Sequence, residues 1–273
     1  MLTQADKGRA FRALHARDRA FIIPNPWDIG TACLLAHLGF EALATTSAGY
    51  AFSIGQRDNT VGRDAMIAHV SAIASATGLP VSADLENGYG DEAETVAETV
   101  SLAAAAGAVG GSIEDGTGRR DDPIYEQGRA VERVFAAAEV VRALPFPFTL
   151  TARAENYLVG RPDRHDTIKR LQAYQMAGAD VLYAPGLTSA DDISAVVASV
   201  DRPVNVVMGL QGARLSLTSL SAIGVKRVSV GSALSRATLG AFLRAAREMS
   251  EHGTFVFADD AVSYGDLTAM FTA

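Results

Sequence analysis

Ala103-Ala104-Ala105-Ala106-Gly107-Ala108-Val109-Gly110-Gly111-Ser112-Ile113-Glu114-Asp115 runs an apolar helix end into a glycine, then into a short apolar segment that stops at two acids. Glycine just past a helix supplies the left-handed backbone that ends it. A run of four to six apolar residues after it suits a strand of a parallel sheet buried on both faces. The same junction recurs. Leu38-Gly39-Phe40 leads into Ala42-Leu43-Ala44-Thr45, Thr77-Gly78-Leu79 into Pro80-Val81-Ser82-Ala83, Ala177-Gly178-Ala179 into Val181-Leu182-Tyr183, and Ile223-Gly224-Val225 into Val228-Ser229-Val230. Proline replaces glycine before Phe148-Thr149-Leu150-Thr151 and before Val204-Asn205-Val206-Val207. With Phe21-Ile22-Ile23 this gives eight candidate strands.

Helical segments fill the intervals. Asp91-Glu92-Ala93-Glu94 reads as a capped start with Asp91 at the N-cap. Thr167 to Ala177 and Leu234 to Met249 carry apolar residues at helical spacing. Eight strands alternating with helices in 273 residues predict a single α/β domain over residues 1–273, a closed (β/α)8 barrel of TIM type. An open doubly wound sheet is the other fold to weigh. It would carry a G-x-G-x-x-G loop after its first strand, where this chain has Pro24-Asn25-Pro26-Trp27-Asp28. The apolar stretch 254–273, with Phe255, Val256, Phe257, Leu267, Met270 and Phe271, is expected to pack as a C-terminal extension, with a neighbouring subunit as one candidate surface.

Composition narrows the function. With 24 Lys+Arg against 31 Asp+Glu, net −7, the chain lacks the basic face that nucleic acid requires. Cys33 is the one cysteine, which excludes an internal disulfide and a thiol-rich metal site. No stretch is apolar enough to span a membrane, and the polar start Met1-Leu2-Thr3-Gln4-Ala5-Asp6 has no signal-peptide core, so a cytoplasmic location is expected.

A barrel of this type builds its site from the loops after its strands. Strand two ends at Thr45-Thr46-Ser47-Ala48-Gly49, strand three at Asp84-Leu85-Glu86, strand four at Glu114-Asp115, strand five at Arg153, and strand seven at Asn205. Asp84, Glu86, Glu114 and Asp115 are thereby directed toward one mouth, where like charges need a cation or protons to neutralise them. Oxygen ligands without histidine favour Mg²⁺ or Mn²⁺ over Zn²⁺. Arg153 suits a substrate carboxylate or a developing oxyanion. Thr46 and Ser47, with the N–H groups of Ala48 and Gly49, are candidates for an anion nest. Asn205 is a further substrate-binding candidate. The five histidines fall away from strand ends and read as surface or packing residues, Cys33 reads as a small core residue, and Trp27 either lines the mouth or packs.

The run Asp84-Leu85-Glu86-Asn87-Gly88-Tyr89-Gly90 resembles the D-x-D/E-x-G-Y-G signature of the isocitrate lyase / phosphoenolpyruvate mutase superfamily. Thr45 to Gly49, Gly55-Gln56-Arg57-Asp58, Ile113-Glu114-Asp115 and Thr151-Ala152-Arg153-Ala154-Glu155 follow in the family's order. The resemblance implies a (β/α)8 barrel, a homo-oligomer (tetramer or dimer) with exchanged C-terminal helices, and Mg²⁺ at Asp84 with Asp58, Glu86 and Glu114 near it, often through water. It also implies a small α-keto or α-hydroxy carboxylate, an enolate intermediate chelated to the metal, and catalytic roles for Arg153, Glu114 and Asp58.

The chain departs from the family in the loop after strand four. Lyases of the family carry K-[KR]-C-G-H there, whereas this loop reads Asp115-Gly116-Thr117-Gly118-Arg119-Arg120-Asp121-Asp122-Pro123-Ile124-Tyr125. Arg119 and Arg120 are candidates to close a gating loop over an anion. The mutases' histidine after strand six is also missing from Tyr183-Ala184-Pro185. The expectation is a Mg²⁺-dependent enzyme cleaving or forming a carbon–carbon bond, with Tyr89 or a water held by Glu114 as proton donor. Phosphorus–carbon chemistry and a non-catalytic keto-acid-binding barrel are the alternatives.

Overall fold

In the computed structural model, which describes residues 2–271, the eight expected strands all form and all pair in parallel. They are β1 Phe21–Ile23, β2 Leu43–Ala44, β3 Val81–Asp84, β4 Gly110–Glu114, β5 Thr149–Arg153, β6 Val181–Tyr183, β7 Val204–Val207 and β8 Arg227–Ser229. Hydrogen-bonded neighbours run β1-β8-β7-β6-β5-β4-β3-β2. The last seam, between β1 and β2, closes through Ala44 N–H donating to Pro24 O at 3.0 Å. Pro24-Asn25-Pro26 has lost two backbone donors at this seam, and the Asn25 side chain supplies a donor and an acceptor there. Its Nδ2 donates to Thr45 O, while its Oδ1 accepts from Val230 and Gly231 N–H, all at 2.9 Å. One buried amide thus ties the ends of β8, β1 and β2 together.

Helices α1 Gln4–His15, α2 Ile29–His37, α3 Ser47–Ser53, α4 Arg63–Ala76, α5 Ala93–Ala105, α6 Gln127–Ala143, α7 Arg164–Ala177, α8 Ala190–Ala198, α9 Leu217–Ala222 and α10 Ala233–His252 precede, connect and follow the strands. The apolar tail forms a 3-10 turn, Val256–Asp260, and α11 Tyr264–Met270, which folds back on α2. Within the expected domain 1–273, Met1, Thr272 and Ala273 lie outside the described residues. No helix among those described is long and apolar enough to cross a membrane.

The strands are not apolar on both faces, as the runs suggested. Val81, Ala83, Ile113, Leu150, Ala152, Leu182, Val206 and Val228 are buried, most of them in the core beneath the helices. The alternate positions are polar: Ser82 and Asp84, Ser112 and Glu114, Thr149, Thr151 and Arg153, Asn205, Arg227 and Ser229. Side chains alternate along a strand, so this second set points into the barrel. The interior therefore contains hydroxyls, an amide and charges in place of the branched aliphatic layers usual for this fold.

Arg227 sits at its centre, 4% exposed, donating from Nε to Asn205 Oδ1 at 2.8 Å and from Nη2 to Thr151 Oγ1 at 2.9 Å. Below it α1, a helix not foreseen in the sequence, plugs the barrel floor with Phe11 and His15. Gly110 makes room for that plug: a Cβ there would stand 2.7 Å from the Phe11 ring.

Asp91 is not the cap of α5. Glu92 holds the N-cap position, without a side-chain hydrogen bond, and Asp91 is drawn away to Arg119 and Tyr125.

Candidate active site

Asp84, Glu114 and Arg153 each end a strand, and the strand register brings them side by side. Asp84 pairs with Ser112 across β3 and β4, and Glu114 pairs with Arg153 across β4 and β5. The Arg153 guanidinium then reaches three carboxylates: Nη1 to Asp84 at 3.1 Å, Nη2 to Glu114 at 2.9 Å and Nε to Glu155 at 2.8 Å. Glu155 had passed as part of a motif. Two residues beyond Arg153 on the same strand exit, it is the third arm of the cluster and only 4% exposed.

These groups line a cavity of about 450 Å³ at the C-terminal end of the barrel, together with Thr46, Ser47, Ala48, Asp58, Glu86, Arg119 and Arg120. That volume suits a small acid and its water.

The electrostatics follow from crowding. Burial pushes the Glu114 and Glu155 carboxyls up, against the pull of Arg153. Burial alone would lower Arg153, but Glu114, then Glu155 and Asp84, outweigh it and hold the guanidinium far above its ordinary value. Asp58, at the exposed rim, is raised by desolvation and by Asp84, and held down by the Ser47 hydroxyl and the Asn59 N–H. Glu86 is pushed up to about 8, first by burial, then by Asp84 and Asp58. Its Oε1 is buried with no hydrogen-bond partner, and its backbone is left-handed at φ +48°. Such backbone strain in a non-glycine residue persists only where the surroundings enforce it.

Here the enforcer is Arg133, an almost fully buried arginine of α6 that the sequence reading missed. Its guanidinium donates to the carbonyls of Asn87, Gly90 and Asp91 and lies 4.2 Å over the Tyr125 ring. Gly88 completes the turn at φ +81°, where a Cβ would stand 2.9 Å from Val96.

Several expected residues lie elsewhere. Asp115 turns away from the mouth. It accepts from Tyr174 Oη at 2.5 Å, Arg170 Nη1 at 3.1 Å and Glu155 N–H at 2.8 Å, and so braces the strand exits from behind. Asn205 lies beneath Arg153 in a small polar cavity of about 60 Å³ and is 1% exposed. Tyr89 packs its ring near Ala51, Val61 and Met66, and its hydroxyl is buried without a partner and pushed far up by burial and then by Glu86, Asp84, Glu114 and Asp58. The nest at Thr46 to Gly49 is partly filled: Ser47 N–H donates to Asp84 Oδ2 at 3.0 Å and Gly49 N–H to Thr46 Oγ1 at 3.2 Å.

In the loop after β4, Arg119 is clamped by two 2.9 Å hydrogen bonds to Asp91 and by Asp122, and the Gly116–Ile124 bridge closes the loop at its base. Arg120 has no such partner among the described residues and lines the cavity.

The donor set fits a hard divalent cation. It consists of carboxylate oxygens, one of them buried and unpartnered, in a cluster with more acids than bases. Among the described residues no three such side chains converge closely enough to ligate one ion directly. Mg²⁺, which keeps several waters and takes one or two carboxylates, tolerates that spacing.

An eight-stranded parallel barrel with a carboxylate–arginine cluster at its C-terminal mouth defines a class of small-acid enzymes. Within it, the phosphoenolpyruvate phosphomutase family model matches residues 11–250, and the chain belongs to that family. A solved protein from Burkholderia cenocepacia J2315, described provisionally as a lyase/mutase, superposes with a TM-score of 0.97 at 67% identity, covering 99% of this chain and 97% of that one. A phosphonopyruvate hydrolase solved with oxalate and Mg²⁺ superposes at 0.85, with 25% identity over 97% and 94% of the two chains. The 2-methylisocitrate lyase of Escherichia coli K12 is 30% identical over 189 residues, 66% of this chain and 62% of that one. The family's members act on carboxylates as lyases or mutases.

Proposed function

We propose that this chain is a Mg²⁺-dependent enzyme that cleaves or forms a carbon–carbon bond of a small α-keto or α-hydroxy carboxylate. The observation that carries the reading is Arg153 holding Asp84, Glu114 and Glu155 beside the unpartnered Glu86 Oε1. Asp84 would hold the cation directly, with Glu86 and Glu114, and Asp58 at the rim, reaching it through water. Bound there, Mg²⁺ supplies Lewis-acid stabilisation of oxyanion charge.

The chain's own residues do the rest. Arg153 presents a fixed cationic donor to the oxygen on which enolate charge develops. Ala48 N–H and the Thr46–Ser47 turn seat the carboxylate. Glu114, raised by burial, holds a proton or a water at the reacting carbon. The exposed, unpaired Arg120 meets the part of the anion nearest solvent, and Arg119, tied to Asp91, keeps the loop in place over the cavity.

The same reading gives the exposed apolar residues of α10 a use. Leu239, Phe242, Leu243 and Met249 face outward, and only Ser235 of that helix is buried, which supports a homo-oligomer that covers this face. A cytoplasmic location accords with the same reading.

The test is turnover on a panel of C3 to C6 keto and hydroxy acids with Mg²⁺, compared with Asp84→Ala and with chelator. Product from the wild type that vanishes in both controls supports the reading. Phosphate released from phosphonopyruvate in place of a cleaved C–C bond would move the chain to phosphorus–carbon chemistry. Undiminished turnover by Asp84→Ala would overturn the metal assignment.

A further inference from the structure

The opposite end of the barrel carries a second cavity. It measures about 350 Å³ and lies between α1 and the starts of β5, β6 and β7. Arg12 and His15 reach it from α1, Thr149 from β5, Asp180 from the residue before β6, and Arg202 from the turn before β7. All eight strands run from this end toward the mouth, so neither its position nor its lining residues belong to the site described above.

The polar groups here are left with unused capacity. Arg12 and Arg202 make no hydrogen bond or close ion pair among the described residues. Thr149 is 3% exposed, yet its Oγ1 is buried without a partner. Its backbone N–H is already committed to Val109 O at 3.0 Å, so the free hydroxyl is the group this residue offers the cavity. The single lining carboxylate, Asp180, accepts from Leu150 N–H through Oδ2 at 2.9 Å. Burial raises it, and it is held down by the charges of Arg12 and Arg202, both exposed and neither in direct contact with it. His15 adds no charge. Burial and the nearby Arg227 keep its ring neutral, and its Nδ1 bonds Phe11 O at 2.9 Å. Two guanidinium groups against one carboxylate leave the lining with an excess of one positive charge.

We propose that this cavity binds a small oxyanion, a phosphate or carboxylate group, between Arg12 and Arg202 with the Thr149 hydroxyl as a third donor. Planar guanidinium forks match such oxyanions in geometry as well as in charge. A buried hydroxyl without a partner is costly unless something fills its need, and a ligand oxygen does so. Only one carboxylate faces the cavity, so it lacks the mouth's means of holding a divalent cation and is a binding site for an anion alone.

The test is calorimetric titration of the full-length protein with inorganic phosphate in one arm and malonate in the other. The expected result is saturable binding of at least one ion. Affinity should fall tenfold or more in Arg12→Ala/Arg202→Ala and several-fold in Thr149→Val, and stay within twofold in Lys169→Ala, an exposed residue of α7 that lines neither cavity. Preference for phosphate or for malonate tells which oxyanion the site selects. Absence of saturable binding by the wild type overturns the proposal. So does equal affinity in the wild type and the double arginine variant. Should the double variant fail to fold, equal affinity in Thr149→Val and the wild type is the overturning result. None of these results bears on turnover at the mouth, so the proposal stands or falls apart from the assigned reaction.

Discussion

Replacing Arg153 by glutamine removes the one cation among the described residues that touches Asp84, Glu114 and Glu155 while keeping much of the side chain's volume. Glu155 and Glu114 have side chains only 5% and 14% exposed, so neither can recover its hydration. Removing one partner of a buried pair costs about 3–5 kcal/mol. Protonation caps the loss: a carboxyl that must hold a proton in the folded state costs about 1.4 kcal/mol for every pH unit above its unfolded-state value near 4.3. For one carboxyl that Arg153 keeps ionised in the wild type, the added cost is therefore at most about 4 kcal/mol at pH 7.5 and about 1.6 kcal/mol at pH 5.5, less the part that burial already imposes on Glu114 and Glu155 in the wild type. The sign follows from linkage. Arg153 pulls Glu114 and Glu155 down in the wild type, so without it the folded variant binds more protons than the folded wild type and its deficit grows as pH rises. Urea unfolding followed by circular dichroism, run at both pH values on wild type and Arg153→Gln, measures the difference. Added Mg²⁺ should narrow the gap at pH 7.5, because the same carboxylates then have a second cation. Equal stability at pH 7.5, or a deficit that does not change with pH, would refute the reasoning.

Asn25→Ala should cost about 2–4 kcal/mol, since it leaves Val230 and Gly231 N–H without their shared acceptor at the barrel seam; amide hydrogen exchange at those two positions reports the break. Arg119→Ala should loosen the loop between Gly116 and Ile124, whose end Tyr125 still holds to Asp91, seen as faster proteolysis between Gly116 and Pro123, whereas Arg120→Ala should leave that rate unchanged. His15, held neutral down to about pH 3 by burial and Arg227, binds a proton near pH 6.5 once unfolded. The folded value lies below the unfolded one, so its contribution is complete above pH 6.5 and is lost as pH falls toward 3. Wild type should accordingly lose about 1.4 kcal/mol per unit more steeply than His15→Gln over that range.

Seven of the eight strands were legible because a glycine or proline at a helix end announces each, and because parallel strands lie under helices that hide their outer face; β1 was read from its apolar run alone. The polar inner face was missed, because the runs were read as apolar on both faces, although alternations such as Thr149-Leu150-Thr151-Ala152-Arg153 carry it. Asp84, Glu114 and Arg153 were found because a strand end fixes both position and direction. One step past the strand that rule fails. Asp115 follows Glu114, and alternation turns it outward to Arg170 and Tyr174, partners more than fifty residues away that no local pattern names. Arg133 was hidden differently. It occupies a position in the buried stripe of α6 where an apolar residue is the ordinary reading, and only the carbonyls of a distant loop explain it.

Asp91 shows why local signals lose such contests. Its sequence setting spells a helix cap, an interaction worth about 1 kcal/mol. In the folded chain the same carboxylate takes a two-bond contact from Arg119 and a 2.5 Å hydrogen bond from Tyr125. Each charge-assisted bond of that kind contributes about 1.5–3 kcal/mol, less where solvent screens it. The sum exceeds a cap even after discounting for exposure, and α5 starts at Glu92 without one. The exchange joins the loop after β3, which holds Glu86 in its strained turn, to the loop after β4, which carries Arg120. Of two adjacent arginines that read alike in sequence, one is thereby spent on the clasp and the other is left for the anion.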